Sequence, residues 1–274
     1  MVSPCATGNC IVRPRRRRIA SWLAAVATVV SFDSVAAGTL LYDADSGVVP
    51  DPNWGWSFLS VGNGTERGML AGATFLDTTA SEDPGRAGYS MSVASGLDSA
   101  TGFILDFSLR LTSESHGSNN NRSGFSIIVL DSNNTGVELS FWTDEVWAKN
   151  ADAAFSHAEG VPINTDSFER TYRLTFLGAQ YTLTSAGAPT LPGNLRDNYA
   201  QFAGFPYNVV PYGQRNYIFF GDNTSSAAAY VELSSITLAP VPEAAEWILM
   251  LAGLGCVAAV ARRQRGGHTK RAAR

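Results

Sequence analysis

The segment Glu138-Leu139-Ser140-Phe141-Trp142 is the place where this chain comes nearest to a recognisable reaction centre. It alternates, so as a strand it puts Glu138, Ser140 and Trp142 on one face and Leu139 and Phe141 on the other. A carboxylate projecting from a strand is half of what glycoside hydrolysis with retention requires; the other half is a second carboxylate about 5 to 5.5 Å away. The alternate positions of this strand hold Ser140 and Trp142, not a second carboxylate. Asp144 and Glu145 lie in the turn that follows, and Glu145 is the carboxylate that could fold back. One acid with no partner on its strand cannot serve as both nucleophile and acid. The simpler reading is a set of solvated carboxylates flanking a hairpin, and no catalytic residue is assigned.

Other chemistries are weaker still. His116 and His157 are the only histidines between the two chain ends. Ser and Asp are abundant enough to draw a triad around either one, and no Gly-x-Ser-x-Gly elbow is present to single one out. His157 sits in Phe155-Ser156-His157-Ala158-Glu159, a mixed pattern that puts His157 and Glu159 on one face if it is a strand; zinc would need at least one further ligand. No metal site is assigned and no cofactor is expected. Asp131-Ser132-Asn133, Asp43-Ala44-Asp45 and Gly221-Asp222-Asn223 offer hard oxygen ligands in turns, which leaves structural calcium as an option. The candidate ligand-binding residues are Glu138, Trp142 and Trp147, with Tyr207 and Tyr212 in a proline-rich loop. A sugar can stack its apolar face on such rings while its hydroxyls take polar partners. For each tryptophan the competing reading is plain core packing.

These residues are carried by a pattern of short strands. Residues 40–42, 54–58, 88–93, 103–111, 124–130, 137–142, 146–148, 172–177, 180–183, 216–220 and 229–238 read as strands. In 103–111 the residues Phe103, Leu105, Phe107, Leu109 and Leu111 share a face. Residues 124–130 are nearly all apolar, as expected of a strand buried on both faces. Asp131-Ser132-Asn133-Asn134-Thr135-Gly136 is the strongest turn signal in the chain. Ten to twelve strands at near-regular spacing predict an all-β antiparallel β-sandwich or jelly roll. The succession 103–111, 124–130, 137–142 and the 172–183 hairpin resembles the concanavalin A-like lectin and laminin-G jelly rolls. An immunoglobulin-like sandwich and a β-barrel fit the same pattern. The lectin-like resemblance implies a comparison with the laminarinase-like glycoside hydrolases, whose strand motif is Glu-x-Asp-x-Glu. Only Glu138 matches it.

Charge and cysteine content narrow the function further. The whole chain carries 20 Lys and Arg against 24 Asp and Glu. Between residues 38 and 239 the count is 9 against 21, a formal net of about −12. Basic residues concentrate at the two ends and leave an acidic domain between them, which argues against nucleic acid and against anionic polymers held by charge alone. Cys5, Cys10 and Cys256 all lie outside that domain, so it holds no disulfide, cysteine zinc site or thiol nucleophile.

The ends read as topogenic signals. Arg13 and Arg15 to Arg18 precede an apolar run at 19–30, and Val35-Ala36-Ala37 places signal-peptide cleavage after Ala37. At the other end Pro240-Val241-Pro242-Glu243-Ala244 leads into an uncharged run at 247–261, followed by Arg262, Arg263 and Arg265. That run spans about 22 Å as a helix. Trp247 sits where an interfacial aromatic anchor would, and the arginines form a basic stop that stays cytoplasmic. This device resembles the PEP-CTERM sorting signal of exopolysaccharide-producing Gram-negative bacteria. Pro242 and Glu243 match the Pro-Glu-Pro tripeptide, and Ala244 replaces its second proline. The resemblance implies processing by an exosortase-like membrane transpeptidase.

The sequence therefore predicts a signal peptide at 1–37, a β-sandwich ectodomain at 38–239 and a sorting tail at 240–274. The expected protein is exported, held at the inner membrane by its C-terminal helix and then sorted to the cell surface or extracellular matrix. Its expected partners are the membrane, the exosortase-like enzyme and polysaccharide, with no nucleic acid. A non-catalytic role beside extracellular polysaccharide is the leading reading. A glycan-processing hydrolase or lyase is one alternative, and a purely structural or adhesion module is another.

Overall fold

The alternating strands assemble as two antiparallel sheets packed face to face, seen in a computed structural model that describes residues 38–80, 85–152, 155–197 and 211–242. Fifteen strands occur among the described residues: β1 (Thr39–Asp43), β2 (Ser57–Val61), β3 (Glu66–Leu70), β4 (Ala73–Asp77), β5 (Arg86–Ser92), β6 (Phe103–Ser115), β7 (Ser126–Leu130), β8 (Gly136–Phe141), β9 (Glu145–Lys149), β10 (His157–Pro162), β11 (Arg170–Leu177), β12 (Gln180–Ser185), β13 (Leu191–Asn194), β14 (Tyr217–Asp222) and β15 (Ala228–Pro240). The first sheet runs β13-β12-β11-β6-β15-β4-β3, with β1 also paired to β15; the second runs β10-β9-β8-β7-β14-β5-β2. The expected all-β antiparallel sandwich is the architecture found.

Period-2 patterning explains the layering. Phe103, Leu105, Phe107, Leu109 and Leu111 of β6 are all buried against the second sheet's Val137, Leu139, Phe141, Ile218 and Phe220. Aromatic rings knit the core: Phe107 stacks on its cross-strand neighbour Tyr172 at 5.3 Å and meets Phe220 of the second sheet edge-on at 5.6 Å. Such pairs contribute about 0.5–1.5 kcal/mol each beyond area burial. Strand β7 is the fourth of seven in its sheet and is buried on both faces, which is why its sequence is continuously apolar after Ser126.

Three differences from the sequence expectation have local causes. Residues 54–58 do not form one strand. Asp51 caps a 3-10 turn at Pro52–Trp54, Gly55 adopts a left-handed φ of 80°, and β2 starts only at Ser57. The hairpin β3–β4 was not expected. It turns at Ala71 and Gly72, with φ of 50° and 85°, a tight turn built without the Asn-Gly pair that advertises one. Strand β13 is a short edge strand whose Pro192 and Gly193 disguise it.

The signal segment with Ala37 and the tail with Glu243, Trp247, Arg262, Arg263 and Arg265 lie outside the described residues, as does Tyr207. Pro242 lies two residues past the end of β15. Among the described residues no helix is long and apolar enough to cross a membrane.

Candidate functional site

The hairpin β8–β9 fixes the register of the residues singled out in the sequence. Ser140 pairs with Trp147 and Phe141 with Val146, so Glu138 falls opposite Lys149. Leu139, Phe141, Val146 and Ala148 point into the sandwich, and Glu138, Ser140, Trp147 and Lys149 face the other way. That outer face is itself covered. There Ile128, Leu130 and Phe219 of β7 and β14 form a second apolar cluster with Ala151 and Tyr212, and Phe155 and Tyr217 lie at its margin.

Glu138 is fully buried. Lys149 Nζ donates to its Oε1 at 2.6 Å and the Tyr212 hydroxyl donates to its Oε2 at 2.5 Å. Asn223 Nδ2 in turn donates to the Tyr212 oxygen at 2.8 Å. Both carboxylate oxygens are therefore engaged by side chains of the fold. Trp147 is also fully buried, so neither Glu138 nor Trp147 lies on an open surface.

Trp142, just beyond β8, is half-buried, and its ring is occupied. His116 stacks on it at 4.3 Å and His157 meets its edge at 5.2 Å. His157 stacks in turn on Trp147 at 4.2 Å. Each imidazole has a carboxylate: His116 Nδ1 lies 2.9 Å from Glu114 Oε2, and His157 Nε2 lies 3.2 Å from Glu145 Oε1. Burial raises the Glu114 carboxyl above its ordinary range, against hydrogen bonds from His116 and the Gly124 amide that lower it. Glu145 is thus turned toward His157, and the three candidates Glu138, Trp142 and Trp147 belong to one packed, polar and aromatic face rather than to an open cleft.

Along this face runs a row of small residues. Gly221, Ser126 and Ser140 are successive cross-strand neighbours that lead to Trp147. Ser126 Oγ, Ser140 Oγ and Trp147 Nε1 are buried without a hydrogen-bond partner.

In each of the three turns proposed for calcium one carboxylate accepts hydrogen bonds from the fold. Asp131 accepts from the amides of Asn133 and Thr135 and from the Ser99 hydroxyl. Asp43 accepts from the Asp45 amide. Asp222 accepts from Thr78 and from the amide and hydroxyl of Thr224. Burial pushes the Asp222 carboxyl up to about 7 even so. Among the described residues no group of three or more His, Cys, Asp or Glu is placed to hold a metal ion.

An open groove of about 510 Å³ lies at the sandwich edge, lined by Asn150, Glu159 and residues 192–196. Arg196 forms a two-pronged pair with Glu159: Nη1 to Oε1 at 2.8 Å and Nη2 to Oε2 at 2.7 Å. The Tyr181 hydroxyl donates to the same Oε1 at 2.7 Å. Burial raises the Glu159 carboxyl, but the hydrogen bonds from Arg196 and then Tyr181 outweigh it and leave it below the ordinary range. The Arg196 backbone exchanges both hydrogen bonds with Gly136, which fixes where the guanidinium starts. Gly193 is required here. A Cβ at that position would fall 2.1 Å from Glu159 Oε1 and 2.4 Å from the Tyr181 ring. Sequence reasoning placed Glu159 beside His157 but had no means of reaching Arg196, which is 37 positions away.

No protein family matches the chain, and no curated protein does. Its fold is similar to solved jelly-roll and galectin-like structures. A carbohydrate esterase from the Shiga toxin-encoding bacteriophage phi24B shares 14% identity over 74% of this chain and 98% of that one, with a TM-score of 0.49. Alginate lyase A1-II′, of polysaccharide lyase family 7, shares 14% over 66% and 86%, TM-score 0.40. A Bacillus subtilis protein of unknown function with a galectin-like fold shares 9% over 74% and 96%, TM-score 0.44. The likeness is one of fold and carries no activity across.

Proposed function

We propose that this protein is an exported, non-catalytic β-sandwich that binds polysaccharide in the edge groove and is localised by its sorting tail. The observation that carries this reading is the groove itself: an open cavity of about 510 Å³ whose polar groups are held in place by the Arg196–Glu159–Tyr181 knot. Fixed amide, carboxylate and guanidinium groups beside an open surface suit sugar hydroxyls, which both donate and accept. The non-catalytic part rests on Glu138. A carboxylate with both oxygens engaged by Lys149 and Tyr212, and with Ser140 and Trp142 at the alternate positions, has no partner acid on its strand. The signal segment, the Pro242-Glu243 motif, the apolar run and its basic stop support export, membrane retention and exosortase-like processing.

The test is a glycan-binding screen on the purified full-length chain, with reducing-end release monitored in the same samples. Binding without release supports the reading. Release of sugar ends, lost on Glu138→Gln, would turn it to the hydrolase or lyase. Absence of both would leave a structural or adhesion module.

A further inference from the structure

We infer that the edge groove selects uncharged, hydroxyl-rich saccharides over uronic-acid, sulfated or phosphorylated ones. This rests on the glycan-binding reading above and adds to it the class of glycan.

Arginine in a sugar groove ordinarily suggests an acidic ligand, because its planar fork matches a carboxylate with two parallel hydrogen bonds. Here the fold has already supplied that carboxylate. Among the described lining residues Arg196 is the one basic side chain, and both of its terminal nitrogens are directed to Glu159. Its Nη1 also donates to the Asn194 carbonyl. Glu159 stays anionic because the same hydrogen bonds, with the one from Tyr181, favour its charged form. The groove therefore contains a guanidinium and a carboxylate that cancel.

An incoming carboxylate or sulfate would have to displace Glu159 from the fork and then sit beside it, with like charges in contact. The wider domain adds repulsion, since residues 38–239 carry a formal net of about −12. A hydroxyl meets neither obstacle. It can donate to carboxylate or carbonyl oxygens and accept from an amide without breaking the pair. Asn150 and Asn194 add polar residues to the same lining.

The experiment compares neutral β-glucan oligosaccharides with oligogalacturonates of equal length, using isothermal calorimetry on the full-length chain at low and high salt. Wild type is expected to bind the neutral series with little salt dependence and the uronates more weakly by roughly tenfold or more. Glu159→Gln should remove the competing carboxylate from Arg196 and raise uronate affinity by roughly tenfold or more, with steep salt dependence. Adding Arg196→Gln to that variant should remove the gain. Thermal melts establish that the variants are folded. If Glu159→Gln does not fold, the wild-type salt dependence decides alone. Equal affinity of wild type for both series, or a folded Glu159→Gln with no gain, overturns the inference and leaves the glycan-binding reading standing. Wild type binding neither series overturns that reading itself.

Discussion

Lys149 Nζ lies 2.6 Å from Glu138 Oε1, with 3% and 0% of the two side chains exposed. The pair anchors β8 to β9. A buried pair offsets its desolvation only while both partners are present, and removing one typically costs about 3–5 kcal/mol. Lys149→Met should therefore destabilise the domain by about that amount. The double variant Glu138→Leu, Lys149→Met should lose less than the single one, since no uncompensated charge remains. Urea denaturation of the three proteins measures this, and a Lys149→Met cost below about 1 kcal/mol would show that the pair is solvated.

Ser140 tests the buried row. Its hydroxyl has no partner, and its cross-strand neighbours Ser126 and Trp147 each hold an unpartnered polar atom as well. An unsatisfied buried hydroxyl carries a penalty of about 1–3 kcal/mol. Ser140→Ala should raise stability, seen as a higher melting temperature. A lower one would mean that an ordered water or a ligand hydroxyl bonds the serine.

Asp222 gives a pH dependence of definite sign. Its folded carboxyl titrates near 7, above the unfolded value of about 3.9. The fold thus favours the protonated acid. That contribution is complete below about pH 3.9 and is lost as pH rises through about 7. Asp222→Asn keeps an acceptor for the Thr224 amide and supplies an N–H toward Thr78, whose hydroxyl can turn to the Ala229 carbonyl. The variant should gain on wild type steadily from pH 4 to 7 and then hold a constant advantage. Parallel stability curves for the two proteins across that interval would contradict the assignment.

How much of this was legible depends on the range of the interaction. Periodicity along β6 and the continuous apolar run in β7 gave the sandwich, because burial on one face or two is written into each strand separately. The Glu138–Lys149 pair was within reach as well. A two-residue turn at Thr143 and Asp144 sets 140 against 147 and therefore 138 against 149. The alternation alone leaves Glu138 as a solvated carboxylate or a ligand-binding group, and leaves Trp147 between ligand contact and core packing. What no local pattern contains is the second layer over the outer face, where Tyr212 closes on Glu138 across 74 positions. The edge groove is likewise the meeting of β10 with β13 and the residues after it, and β13 hides behind Pro192 and Gly193.

Gly193 supplies the sharpest test of the groove. The absence of a side chain there lets Glu159 Oε1 and the Tyr181 ring approach the backbone of β13. A methyl group would fall 2.1 Å from the carboxylate oxygen and 2.4 Å from the ring, closer than any van der Waals contact allows. The ring is buried core and cannot retreat; Glu159 can, but only by leaving Arg196 and Tyr181. Gly193→Ala should therefore displace Glu159 from the Arg196–Glu159–Tyr181 knot and abolish binding of neutral saccharides. The stability cost should be of the order of 1–3 kcal/mol, as expected for overpacking at one site. Calorimetric titration of the folded variant checks the first point and a thermal melt the second. Retained affinity in a folded Gly193→Ala protein would move the binding site away from this edge.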